Sequence, residues 1–316
     1  CVMVAEARSA SRARRWLRRG LWIAAFGALW LNVFDDPPLA TGAYVQHVTT
    51  DAATIAKITA APARVRCVVR RPDGAVVREV ESLAPRRRHA LRVEGLTASS
   101  DYDYVLSVDG VEVEQGRIRT APTADTAPVR FAFVGDSGGQ PWWVWLQRTP
   151  ILHLPARFGW FEPASAVRGI GAAVAAARPE FMLHLGDVIY PRGQQAHYRS
   201  GFFAPFADLL RAAPVYVVLG NHDVMDAAGQ QTLANFHLPT SAATGDERCY
   251  SFAWGPVRVI ALDCNTWLAG ERFEAGHPSL EFLIAELERC SEPWVVVASH
   301  FPMRSASRQR DRADLL

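Results

Sequence analysis

Asp136, Asp187, Tyr190, Asn221, His222 and His300 are the residues of this chain whose types and placement could do chemistry together. Carboxylates, a phenol, an amide oxygen and imidazoles are the ligands that hard and borderline di- and trivalent cations take. Each of these residues stands just past an apolar run. The runs are F-A-F-V-G-D-S-G at 131–138, F-M-L-H-L-G-D-V-I-Y at 181–190, P-V-Y-V-V-L-G-N-H-D at 214–223 and W-V-V-V-A-S-H at 294–300. Taken singly, Asp136 reads equally well as a turn residue and His222 as a loop histidine. Four such endings in one stretch point to a shared metal site.

The elements that must position these groups are legible in the same pattern. Val215 to Leu219 run without a polar break, as a strand buried on both faces of a parallel sheet does. Gly220 then offers backbone angles that set Asn221 and His222 at the strand's carboxyl end. That end is where open α/β sheets hold their ligands. Helical patterns over Ala166–Ala177, His197–Leu210 and Pro278–Cys290 alternate with the strands. A hairpin, Tyr250–Trp254 and Val257–Leu262 joined at Gly255-Pro256, belongs to a second sheet. Residues 129–316 therefore read as a layered α/β (α+β) domain.

Residues 41–120 carry a different rhythm, with short alternating runs split by turns. Thr54–Ile58, Arg64–Arg70, Ala75–Val80, His89–Val93 and Tyr102–Val108 read as strands, and Asp73-Gly74 as a hairpin turn. About seven strands in about 80 residues suggest an all-β sandwich. In G-L-T-A-S-S-D-Y-D-Y-V-L, Leu96 and Tyr102 stand six apart, which resembles the tyrosine-corner segment of fibronectin type III domains. Such a module shapes a substrate or binds a partner, or else serves as a spacer. T-A-P-T-A-D-T-A-P at 120–128 reads as a linker, its core at 121–128.

Together the motifs resemble a known family. G-D-S-G, G-D-V-I-Y, G-N-H-D and V-A-S-H, in this order and spacing, are similar to the first four motifs of the purple acid phosphatases, which are binuclear metallophosphoesterases. Many members carry a fibronectin-III-like domain ahead of the catalytic one, as 44–119 resembles. Most metallophosphoesterases have D-x-H in the first motif, but Gly138 stands where that histidine would be. Tyr190 offers the phenolate typical of the purple branch.

The resemblance implies roles. Asp136 and Tyr190 would bind a first metal, usually ferric iron, and Asp187 would bridge two ions. Asn221 and His300 would bind the second, which is Fe(II), Zn(II) or Mn(II). His222 would face the phosphate as charge stabiliser or proton donor. The expected reaction is hydrolysis of phosphoric monoesters by a hydroxide bridging the two metal ions, in the manner of an acid phosphatase. Alternatives are a phosphodiesterase acting on nucleotide or lipid headgroup esters, and a non-catalytic cell-surface binding protein with a decayed metal domain. The expected partner is a small phosphate ester. The family's fifth motif, G-H-x-H, has no counterpart here, since no H-x-H occurs and the chain stops sixteen residues after His300. With Cys1 as first residue, this suggests a fragment, truncated at its carboxyl end, short of one ligand per ion and inactive as it stands.

Charge and composition narrow the rest. The formal charge of +2 hides six arginines against Glu6 in residues 1–20, leaving 28 basic and 31 acidic residues beyond. That balance offers no nucleic-acid surface. The arginine-rich start and the apolar 21–34 form a leader within residues 1–40. It reads as an export signal, or as an uncleaved membrane anchor with its arginines inside. A helix of that apolar length reaches only ~21 Å against a ~30 Å hydrocarbon layer. Both readings place the remainder outside the cytoplasm, periplasmic, extracellular or membrane-anchored. Cys249 and Cys264 flank the hairpin and either pair or stay as buried thiols. The aromatic stretch 141–161 reads as a lid, a membrane contact or packing against the sandwich, with His153 a candidate phosphate contact. His184 reads as a core or supporting histidine, and His197, His237 and His277 as loop or helix-face residues. Asp263 and Asn265 end another strand and take no assigned role.

Overall fold

Strands dominate up to Arg119 and strands alternating with helices follow. The computed structural model describes residues 16–27, 39–123, 128–138, 165–190, 192–241, 245–265 and 274–301. The first part has β1 (Tyr44–Gln46), β2 (Ala52–Ala63), β3 (Val65–Arg70), β4 (Val76–Glu81), β5 (Arg86–Glu94), β6 (Asp101–Val108) and β7 (Val111–Arg119). They form two antiparallel sheets, in the orders β1-β2-β5 and β4-β3-β6-β7. Alternation decides which side faces in: Val65, Cys67 and Val69 of β3 meet Tyr104 and Leu106 of β6 in the core, all fully buried. The Asp73-Gly74 turn is present, with Gly74 at φ +89° and Arg71 N–H donating to Ala75 O at 2.9 Å. The Tyr102 hydroxyl accepts from Thr97 N–H at 2.8 Å, as the hydroxyl of a tyrosine corner does.

The second part has β8 (Phe131–Val134), β9 (Phe181–His184) and β10 (Val215–Val217) in a parallel sheet ordered β10-β9-β8. The helix Ser165–Ala177 joins β8 to β9. A second sheet holds β11 (Tyr250–Trp254), β12 (Val257–Leu262) and β13 (Trp294–Ser299), with β11 antiparallel and β13 parallel to β12. The hairpin therefore does sit in a second sheet. The helix Pro278–Arg289 makes the β12–β13 crossover; His277 caps it, accepting from Ser279 N–H through Nδ1. Aromatic rings knit the two sheets face to face. Tyr216 stacks on Phe252 at 3.8 Å between centroids, and Phe181 meets Trp254 at 5.1 Å.

The two parts are fastened by buried polar bonds as well as one continuous apolar cluster. Tyr44 Oη donates to Asn235 O at 3.0 Å, and Gln46 Nε2 to Val215 O at 3.2 Å. Tyr216 Oη donates to Val48 O, and Tyr104 Oη to Arg211 O. Thr120 and Ala121, at the start of the expected linker, are fully buried.

Several expectations need correction. The helical pattern His197–Leu210 is broken into a turn of helix at Gln195–Tyr198, a π turn at Arg199–Phe203 and a short helix at Ala207–Leu210. Pro205, which has no N–H to give, lies between the pieces. Unlike Val215–Leu219, the apolar runs of β8 and β13 each expose a large ring, Phe133 and Trp294 being 67% exposed. Among the described residues both are terminal strands, each with a single neighbour. Of the two alternatives for Cys249 and Cys264, the structure has buried thiols not joined in a disulfide. The apolar stretch 21–34 is described only to residue 27; residues 16–27 are helical, with Trp16, Trp22 and Ile23 exposed. Among the described residues no helix is long and apolar enough to cross a membrane. The aromatic stretch 141–161, His153 with it, lies outside the described residues.

Candidate metal centre

The sheet ends converge. Asp136 follows β8, Asp187 and Tyr190 follow β9, and Asn221 follows β10. His300 follows β13 and so arrives from the other sheet. The gathering point is thus the seam between two sheets, not the lip of one.

Both aspartates of the Gly-Asp pairs adopt left-handed backbone, at φ +51° each. For a residue with a Cβ that conformation costs ~1–2 kcal/mol. Here it turns each carboxylate from the strand axis toward the seam. Gly186, at φ +90°, makes the turn before Asp187. Gly220 does not play the part expected of it, since its backbone is ordinary and extended (φ −95°, ψ 171°). Its need for glycine is space, because a Cβ there would lie 2.2 Å from Asp187 N and 2.3 Å from Asp187 Oδ1.

Asp136, Asp187 and His300 each offer a donor atom, and these atoms all lie within 4.8 Å of one another. Tyr190 Oη donates to Asp136 Oδ1 at 2.6 Å and approaches Asp187 Oδ2 at 3.0 Å. Burial, then the Asp136 hydrogen bond and the charge of both carboxylates, holds the phenol well above its ordinary pKa. Gly138 explains how the ring fits, since a Cβ there would meet Tyr190 Cδ2 at 2.5 Å. A side chain at 138 and this tyrosine compete for one space.

The His300 ring tests whether the cluster suits a cation. Its Nδ1 lies 2.8 Å from Leu185 O, which can only accept, so Nδ1 carries the hydrogen. In its neutral form the ring turns a bare lone pair at Nε2 toward Asn221 Oδ1 at 3.1 Å and Asp187 Oδ1 at 3.5 Å. Three acceptors facing one another repel unless a positive charge stands among them. The donor set fits a metal ion, and the Leu185 carbonyl is the kind of outer partner that orients a ligating histidine.

Neighbouring groups lace the strand ends together. Ser137 Oγ lies 2.9 Å from His184 Nε2, tying the β8 loop to β9. Burial, reinforced by the charge of His300, lowers the His184 pKa to about 3, so this ring is a neutral supporting group. Asn265 Nδ2 donates to Leu219 O at 2.8 Å, joining the ends of β12 and β10. Asp263 pairs with Arg248 at 3.1 Å. Asp223, fully buried, accepts from the backbone of both neighbouring loops. Burial pushes its carboxyl up to about 8 against the pull of the Gly220 and Val188 amides. His222 donates its backbone N–H to Asp187 Oδ1 at 2.8 Å and lays its ring against Tyr190, 4.5 Å between centroids. His197 and His277 are buried. Ser137 and Asp223 escaped sequence reasoning. The only signal was their place inside quoted motifs, as polar residues at strand ends with no ligand role to explain them.

Two packed sheets with side chains able to hold a metal ion gathered at their strand ends form a metallophosphoesterase fold. Residues 129–316 match the calcineurin-like phosphoesterases, and the chain belongs to that family. It superposes on a structure of PhoD with a TM-score of 0.59 at 14% identity, over 84% of this chain and 63% of that one. It superposes on the purple acid phosphatase PPD1 from seeds of yellow lupin (Lupinus luteus) with a TM-score of 0.60 at 15% identity, over 83% and 51%. At these identities the likeness is one of fold, and this chain spans between half and two thirds of either structure. No curated protein matches it.

Proposed function

We propose that the protein is a phosphoric ester hydrolase of the acid phosphatase type, acting on monoesters at a two-metal centre. Asp136 and Tyr190 would hold one ion, Asn221 and His300 the other, and Asp187 would serve both. The observation that carries this reading is the approach of His300 Nε2 to Asn221 Oδ1 at 3.1 Å and Asp187 Oδ1 at 3.5 Å while its Nδ1 faces Leu185 O. Two cations held there supply Lewis acidity, lowering the pKa of water and clamping phosphate oxygens for in-line displacement. The chain's own groups set the stage for that chemistry. Tyr190 surrenders the proton it now shares between Asp136 and Asp187. Leu185 O keeps the His300 ring in one tautomer. His222, fixed by its backbone bond to Asp187 and its contact with Tyr190, stabilises charge on the phosphate or hands a proton to the leaving oxygen.

A tyrosine ligand suits ferric iron, with Fe(II), Zn(II) or Mn(II) beside it, and a visible absorption band would mark the phenolate. The strand count, the two-sheet division and the Thr97–Tyr102 bond support reading residues 41–120 as a fibronectin-III-like sandwich. The arginine-rich start and apolar stretch support export or anchoring at a membrane.

The test is phosphate release by the full-length protein from a chromogenic monoester at mildly acidic pH, beside a diester of the same leaving group. Asp187→Asn and His300→Ala are expected to abolish release. Full retention in either sinks the site, and faster diester turnover replaces the monoester reading with a phosphodiesterase.

A further inference from the structure

Asp223 is fully buried, and its two carboxylate oxygens are committed to different loops. Oδ1 accepts from Val188 N–H at 3.0 Å, in the loop that carries Asp187 and Tyr190. Oδ2 accepts from Gly220 N–H at 2.8 Å, in the loop that carries Asn221. A third segment closes on the same residue, since a Cβ on Gly193 would lie 2.2 Å from Asp223 O. The charge that acts on its carboxyl is that of Asp187, which repels a negative charge there. Among the described residues no cationic side chain acts on it, and burying a carboxyl group without one is costly to the fold, so its place at this crossing calls for an explanation beyond packing.

Resting on the reading of the metal centre above, we infer that Asp223 is a positioning residue, a strap that presets the separation of Asp187 and Asn221 before any ion arrives. Two parallel N–H···O bonds to one rigid carboxylate fix Val188 and Gly220 relative to each other. Each amide lies one residue from a ligand, so the strap transmits directly to both ligand side chains. The absence of a side chain at Gly220 lets the loops come close enough for one carboxylate to reach both. Asparagine is the same shape but can accept through only one of its two terminal atoms, so Asp223→Asn releases one loop while filling the same space.

The experiment is calorimetric titration of the protein with manganese, wild type against Asp223→Asn, well below the melting temperature. The expected result is a dissociation constant raised ~10–100-fold, the usual effect of losing an outer-shell partner. A residue that only stabilises the fold would lower the melting temperature of the metal-free protein and leave the dissociation constant alone. A constant within about twofold of wild type, on the scale of that outer-shell effect, overturns the inference. If the wild type itself takes up no manganese, the metal-centre reading fails instead. Amide hydrogen exchange on the wild type gives an answer even if the variant does not fold. Val188 and Gly220 are expected to be as protected without manganese as with it. Protection that appears only with the metal would mean that the ion, not Asp223, sets the spacing, and would overturn the strap.

Discussion

His300 Nε2 lies 3.1 Å from Asn221 Oδ1, across 79 residues of chain and the seam between two sheets. In the neutral ring, with Nδ1 donating to Leu185 O, neither facing atom has a hydrogen to offer the other. The contact is unfavourable in the neutral ring and becomes favourable when a cation stands between the two. Adding manganese should therefore raise the melting temperature, and a chelator should reverse the rise. At a metal concentration about a hundred times the dissociation constant the gain is ~2.7 kcal/mol. His300→Ala should lose most of that gain, which scanning calorimetry with and without metal reads directly.

Tyr190 gives a proton to count. Its pKa is raised in the metal-free protein, so the phenol is protonated there and must lose its hydrogen to become a ligand. Metal uptake should release a proton at this position, and affinity should fall as pH falls, by up to about tenfold per pH unit for one proton. Titrations in two buffers of different ionisation enthalpy count the protons released. Tyr190→Phe should lower the count by one and remove any visible absorption band of the iron-loaded protein. An unchanged count would remove the tyrosine from the centre.

Three glycines separate space from flexibility. Gly138→Ala places a methyl 2.5 Å from the Tyr190 ring and should cost ~1–3 kcal/mol while weakening metal uptake. In the helix Ser165–Ala177, a Cβ on Gly169 meets nothing within 4 Å, whereas one on Gly171 would lie 2.0 Å from Pro205 O. Gly169→Ala should stabilise by up to ~1 kcal/mol, and Gly171→Ala should destabilise. Urea denaturation of the three variants gives the signs.

His184 predicts a pH dependence of stability. Its pKa falls from 6.5 in the unfolded chain to about 3 in the native protein, where burial and His300 disfavour the charged ring. As pH drops below 6.5 the unfolded chain takes up a proton that the native state refuses until about pH 3. The contribution is complete above the unfolded pKa and is lost on acidification, at up to ~1.4 kcal/mol per pH unit. His47, lowered to about 4 by burial and by Arg92 and His237, adds the same sign. Denaturation at a series of pH values should show His184→Gln with a flatter profile than wild type. Parallel profiles would mean that the ring is not held neutral.

The sequence by itself determined which residues could meet: apolar runs of strand length, each ended by a glycine or a small residue and then a polar group. It also determined the change from short alternating strands to strands mixed with helices near residue 120, because burial periodicity is written locally. Tertiary structure alone decided that β13 lies in a different sheet from β8, β9 and β10, since a strand's pattern does not name its neighbours. It decided that, among the described residues, β8 and β13 stand at the ends of their sheets and expose Phe133 and Trp294. It also decided that Gly220 is needed for room and that Gly138 yields to Tyr190. Asp223, an ordinary aspartate on paper, became a buried junction only when two loops closed on it. The physical reason is common to these cases. Backbone conformation and hydrophobic pattern act over a few residues, whereas the distance between two backbones far apart in the chain exists only once the sheets have packed.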